Sequence, residues 1–87
     1  MEVTCDPTKD RLNQRDHHIS LWEAKHLDWS RLMAKPDTRH DYGELRMVGY
    51  APLGDRLYCV VYVDRGEFRR IISLRKANER EVKRYDP

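Results

Sequence analysis

The sequence predicts a small α+β domain: a twisted antiparallel β-sheet with two N-terminal helices and one C-terminal helix. Three observations carry this. Apolar runs near Leu45–Tyr50, Arg56–Val63 and Phe68–Leu74 are joined by short Gly-containing links, the pattern of antiparallel hairpins. Helix-start signals stand at Asp6-Pro7, Ser20 and Asn78. The length, 87 residues, has room for one small domain spanning 1–87.

Each element has a local reason. Glu2 to Cys5 can open a short strand. Asp6 then caps a helix, and Pro7 takes the first helical position, where a missing N–H is no loss. This helix is expected to reach about Arg15. It is so polar that it must lie on the surface, with Leu12 as its main apolar anchor. Ser20-Leu21-Trp22-Glu23 reads as a capping box, with Ile19 placed as a hydrophobic staple. A second helix from Leu21 to Asp28 puts Leu21, Ala24 and Leu27 or Asp28 on one face. Trp22 and Trp29 are expected to pack in the core or at an interface. Arg31 to Lys35 predicts an edge strand stopped by Pro36, and Asp37 to Gly43 is turn-like. The strand from Arg56 is apolar on both alternating sets, so it is central. Asn78 caps the last helix, whose acidic start (Glu79, Glu81) and basic end (Lys83, Arg84) complement its dipole.

Charge is unevenly spread. Residues 1–64 hold nine Lys and Arg against eleven Asp and Glu, whereas residues 65–87 hold eight against four. A basic C-terminal third implies an anionic partner, nucleic acid or an acidic protein. Cys5 and Cys59 form no CxxC and are expected to be reduced, structural thiols. No signal-like apolar region opens the chain and no stretch is long enough to span a bilayer, so a cytoplasmic protein without membrane contact is expected. There is no P-loop, GxSxG or HExxH, and adjacent His17 and His18 make a poor metal pair; no metal or cofactor is expected.

Three groups of residues, in order along the chain, carry a family resemblance. The first is Asp6-Pro7-x-Lys9-x-x-x-Asn13, then His17, then Ile19-Ser20-x-x-Glu23-Ala24. The second is Glu44-x-Arg46-x-x-Gly49, then the Leu57 to Tyr62 strand. The third is Arg70-Ile71-Ile72-Ser73-x-Arg75-x-Ala77-x-x-x-Glu81-x-x-x-Tyr85. Together they resemble the BrnT family of type II toxins, RelE-like ribonucleases. The family usually has Lys-His-Gly where this chain has Asp16-His17-His18. The resemblance implies a metal-independent endoribonuclease that inhibits translation. It also implies a BrnA-like ribbon-helix-helix antitoxin, a heterotetramer of two toxins and two antitoxins, and contact with operator DNA only through that antitoxin.

Such an enzyme activates a ribose 2′-hydroxyl against the adjacent phosphate, so it needs a proton shuttle and cations for the developing charge. His17 is the expected acid or base. Arg70 and Arg75 are the expected charge stabilisers, Arg75 the better placed for phosphate at the strand's end. Strict alternation puts these two on opposite faces unless the strand ends or bulges between them. The bland reading of Arg70 is an ion pair with Glu44 or Glu81. Lys9, His18, Arg46 and Arg56 are expected RNA contacts; Asn13 is expected to hydrogen-bond a loop and so hold His17 in place, and His26 and His40 to be surface residues. The alternative function is a non-catalytic basic module that binds an acidic protein or nucleic acid.

Overall fold

The computed structural model describes residues 1–86. The chain runs through β1 (Glu2–Cys5), α1 (Pro7–His17), two 3₁₀ segments (Leu21–His26 and Trp29–Arg31), β2 (Met33–Pro36), β3 (Met47–Leu53), β4 (Arg56–Arg65), β5 (Phe68–Lys76) and α2 (Glu79–Tyr85). The strands form one sheet in the order β1-β5-β4-β3-β2. Two-residue turns with Gly54 and Gly66 at φ +61° and +58° join β3 to β4 and β4 to β5. Positive φ is the conformation a tight hairpin demands and glycine supplies.

Two expectations need correction. The sheet is mixed, because β1 pairs parallel with β5 (Glu2 with Phe68 through Cys5 with Ile71). A parallel pair needs a long crossover, and here the whole chain between the two strands supplies it. The second N-terminal helix is a 3₁₀ segment, Leu21–His26, and no capping box forms at Ser20. The Asp10 carboxylate accepts from the Leu21 amide (2.7 Å) and the Ser20 hydroxyl (2.9 Å), while Ser20 Oγ accepts from Trp22 rather than Glu23. Leu21, Ala24 and Leu27 are buried at a spacing of three, the repeat of a 3₁₀ turn.

These three residues cover one face of the sheet. Beneath them lie Val3 and Cys5 of β1, Ala51 of β3, Tyr58, Val60 and Tyr62 of β4, and Ile71 and Leu74 of β5. Gly49 lets β2 approach β3: a Cβ there would stand 2.7 Å from Leu32 Cδ1 and 2.9 Å from Ala34 Cβ. On α1 the anchor is Asn13, not Leu12, which is 43% exposed. Asn13 Nδ2 donates to the carbonyls of Leu74 (2.8 Å) and Ile19 (2.9 Å), and its Oδ1 accepts from the Leu74 amide (3.1 Å). At one end of the opposite sheet face lies α2, whose Tyr85 hydroxyl donates to the Arg31 carbonyl, while Val63 is buried toward the other end and Val61 between them is partly exposed. Both cysteines are buried and unpaired, and burial pushes both thiols up, as suits structural residues. No helix among the described residues is long and apolar enough to cross a membrane.

Candidate functional site

The three arginines of β5 meet three different fates. Arg69 lies on the helix-covered face, stacked over Trp29 and Tyr62 with its carbon Cζ at 4.8 and 4.3 Å from the ring centres. Its fork also holds both oxygens of Asp64, at 2.7 and 3.0 Å. Arg75 faces the other way and donates to both Glu81 oxygens, at 2.8 and 2.9 Å, while the Tyr50 hydroxyl adds a third bond at 2.7 Å. The guanidinium holds Glu81 down at about 2, and burial together with the carboxylate pushes Tyr50 well above its ordinary range. Arg70 has one ionic contact among the described residues, a loose 4.0 Å approach to Asp6. Its ion pair is therefore with neither Glu44 nor Glu81. Of the three, Arg70 is the one without a bidentate carboxylate partner among the described residues.

A bulge makes the open face what it is. Tyr62 pairs with Ile71 and Val61 with Ser73, so Ile72 has no partner across the ladder. The extra residue resets the alternation. Ile71 and Leu74 both point into the core, and Arg70, Ser73 and Arg75 share the open face with Val63, Val61 and Cys59. Along the strand Arg70 and Arg75 stand roughly 14 Å apart.

Around Arg70 the register assembles a basic end to this face. Arg70 lies between Thr4 on β1 and Val63 on β4, and in the next row Phe68 lies between Glu2 and Arg65. Thr4, Arg65, Phe68 and Arg70 line a cleft of about 250 Å³. Glu44 holds Arg65 at 2.7 Å. Arg46 immediately precedes β3 on the side opposite core-facing Met47, which places it about 10 Å from Arg70, two strand spacings away. Its guanidinium sits 4.0 Å above the Tyr42 ring, and its buried Nε has no hydrogen-bond partner among the described residues. Thr4, Arg65 and Phe68 escaped the sequence reading. The signal was present: Phe68 and Arg70 are two apart in a strand, beside a turn.

The other expected site residues lie elsewhere. α1 starts at Asp6, beside Arg70, and His17 closes it, eleven residues and on the order of 16 Å further on. His17 is exposed, and no hydrogen bond or ion pair joins it to Arg70 or Arg75 among the described residues. His18 caps α1 in the left-handed region, φ +60°, with its N–H donating to Gln14 at 2.9 Å. Asp16, at the family's Lys position, pairs with Arg15 on the surface. Lys9 is exposed in the first turn of α1. Arg56 opens β4, seven residues and about 24 Å from the row that holds Arg70. His26 and His40 are exposed, and Trp22 is 45% exposed. No three His, Cys, Asp or Glu side chains converge as a metal site among the described residues.

Much of the recurring residue pattern is consumed by the fold. Asp6 and Asn78 cap helices, Asn13 holds Leu74, Gly49 admits β2, and Ala24 and Ala77 are buried. Glu81 completes a capping box with Asn78 while it binds Arg75. Residues 5–81 match the family described as the ribonuclease toxin, BrnT, of type II toxin-antitoxin systems. The chain belongs to the BrnT family. The crystal structure of the Brucella abortus ribonuclease toxin BrnT superposes on this BrnT-family chain with a TM-score of 0.73 at 17% identity, covering 91% of this chain and 99% of that one. The likeness is one of fold. No curated protein matches the chain. Of the charged residues in the BrnT pattern, Lys9, His17 and Glu23 are exposed without a side-chain partner among the described residues, while Arg46, stacked on Tyr42, and Arg70, loosely paired with Asp6, share the open face.

Proposed function

We propose that this BrnT-family chain is a metal-independent, RelE-like endoribonuclease that cleaves RNA to inhibit translation. In this reading the RNA lies on the open sheet face and Arg70 grips the scissile phosphate. The ribose 2′-oxygen attacks phosphorus, the bond to the 5′-oxygen breaks, and the 2′-hydroxyl proton leaves to a base while the 5′-oxygen gains one. Arg70 stabilises the negative charge that builds on the phosphorane oxygens, as a rigid two-pronged donor does best. Arg46 stands across the face as a second cation. Arg75 joins only if its pair with Glu81 opens, and His17 acts at a separate place. The partner is a BrnA-like ribbon-helix-helix antitoxin that covers the basic face, assembles as a heterotetramer and carries the complex to operator DNA. The cytoplasm is the compartment where such a substrate is met.

The observation that carries this reading is the Arg70 guanidinium, whose one ionic contact among the described residues is a loose 4.0 Å approach to Asp6, in a chain of this family. A second reading, a non-catalytic binding module, draws support from the distance between His17 and Arg70. Induction of the chain alone in a bacterium separates them. Growth arrest with RNA degradation, relieved by Arg70→Ala but not by His17→Ala, is the expected result. Arrest that survives Arg70→Ala in a folded variant removes Arg70 from the site. Soluble, folded protein that binds RNA without arrest or cleavage favours the binding module.

A further inference from the structure

Phe68 is an exposed aromatic at the basic end of the sheet. It begins β5 beside the Gly66 turn, is 48% exposed, and lies on the open face away from the core. Its neighbours on this face are mostly polar: Glu2 across on β1, Arg65 across on β4, Arg70 two residues along, and Thr4 beside Arg70, with Val63 buried in the next row. Thr4, Arg65, Phe68 and Arg70 line one cleft in which Phe68 is the single hydrophobic side chain. A protein-docking patch gathers several apolar groups. One aromatic between two guanidiniums is instead the composition of a single-strand site, where a base stacks on the ring and phosphates meet the cations. The spacing agrees. Residues two apart in a strand stand about 7 Å from each other, close to the advance per nucleotide of an extended single strand.

We propose that Phe68 is the stacking platform for one unpaired nucleobase of the RNA, with Arg70 and Arg65 on the phosphates flanking it. This rests on the ribonuclease reading and names its base subsite. A ring face stacks on any base, and the cleft offers only Thr4 to read a base edge, so the subsite selects for an unpaired nucleotide and only weakly for its identity. Glu44 holds Arg65 at 2.7 Å and offsets part of its charge, whereas the carboxylate nearest Arg70 is Asp6, at 4.0 Å.

The test is fluorescence anisotropy with a 2′-O-methyl RNA oligonucleotide, whose blocked 2′-oxygen prevents cleavage, titrated at several salt concentrations. Phe68→Ala and Phe68→Leu are expected to weaken binding about 10-fold at every salt without changing the salt slope, and Phe68→Trp to retain it. Arg70→Ala is expected to lower the slope by about 0.7. Phe68 is exposed, so thermal melts of these variants should match the parent. Phe68→Leu binding as tightly as the parent overturns the platform while leaving the RNA reading intact. Parent protein that fails to bind the oligonucleotide at all overturns both.

Discussion

His18 turns the chain left-handed at the end of α1, where a side chain crowds the following carbonyl and glycine does not. The family's usual glycine at this place thus has a backbone reason, and His18 carries the strain instead. His18→Gly is expected to stabilise the fold by about 1 kcal/mol, a rise in melting temperature of roughly 4–8 °C in a domain this size; a lower melting temperature would show that the histidine has a compensating contact. Residue-scale legibility followed chemistry with a fixed geometry. Asp6-Pro7 and Asn78 were readable as caps because capping depends on a few adjacent residues. Leu12 and Asn13 were ranked in the wrong order because hydrophobicity favours leucine. What decided the matter was a pair of unpaired backbone groups on β5, invisible in a linear sequence. The pairing of Arg75 with Glu81 was hidden for the same reason, since the two meet only where α2 docks on the sheet.

Elements were legible where their period was plain. β4, β5 and the hairpin turns stand at their expected places, each strand extended by two residues where the ladder continues past the apolar run. The 3₁₀ segment was misassigned although its buried residues recur at threes and never at fours. The bulge at Ile72 has no sequence marker, since Ile71-Ile72-Ser73 contains no glycine, and it alone puts Arg70 and Arg75 on one face. α2, only seven residues long, is secured to the open face through Glu81. That carboxylate is held at about 2 against an ordinary 4.5. A depressed acid contributes its stability above its unfolded value and loses it as pH falls through the folded one, here between about 4.5 and 2. Allowing for the half-exposed Arg75, about 2 kcal/mol should disappear over that window. Glu81→Gln should flatten this part of the pH–stability curve; an unchanged slope in that variant would assign the acid sensitivity to another carboxylate.

The whole molecule divides its labour between two faces of a single sheet. One face carries the core, and the other is left partly bare between α2 and the basic end. Neighbours on β4 should report this. Val60 is fully buried against Leu21, Ile71 and Leu74, so Val60→Ala should cost about 2–3 kcal/mol in chemical denaturation. Val61, on the partly open side, should cost less than about 1 kcal/mol when changed to Ala. Equal losses would mean the open face is as tightly packed as the core. At this scale the α+β class and the basic C-terminal third were legible from composition and spacing, and the family from the residues that resemble its pattern. The division into faces was not, because it follows from the parallel docking of β1 and from one extra residue in β5.

That docking leaves β5 longer than its outer neighbour. β1 ends opposite Ile71, and past it the backbone of Leu74 would face water with an N–H and a C=O aligned to receive another chain. Asn13 presents an amide of its own to both groups. A single side chain thereby imitates one more residue of strand, and the edge most able to recruit a stray strand from an aggregating neighbour is closed by a helix that never enters the sheet.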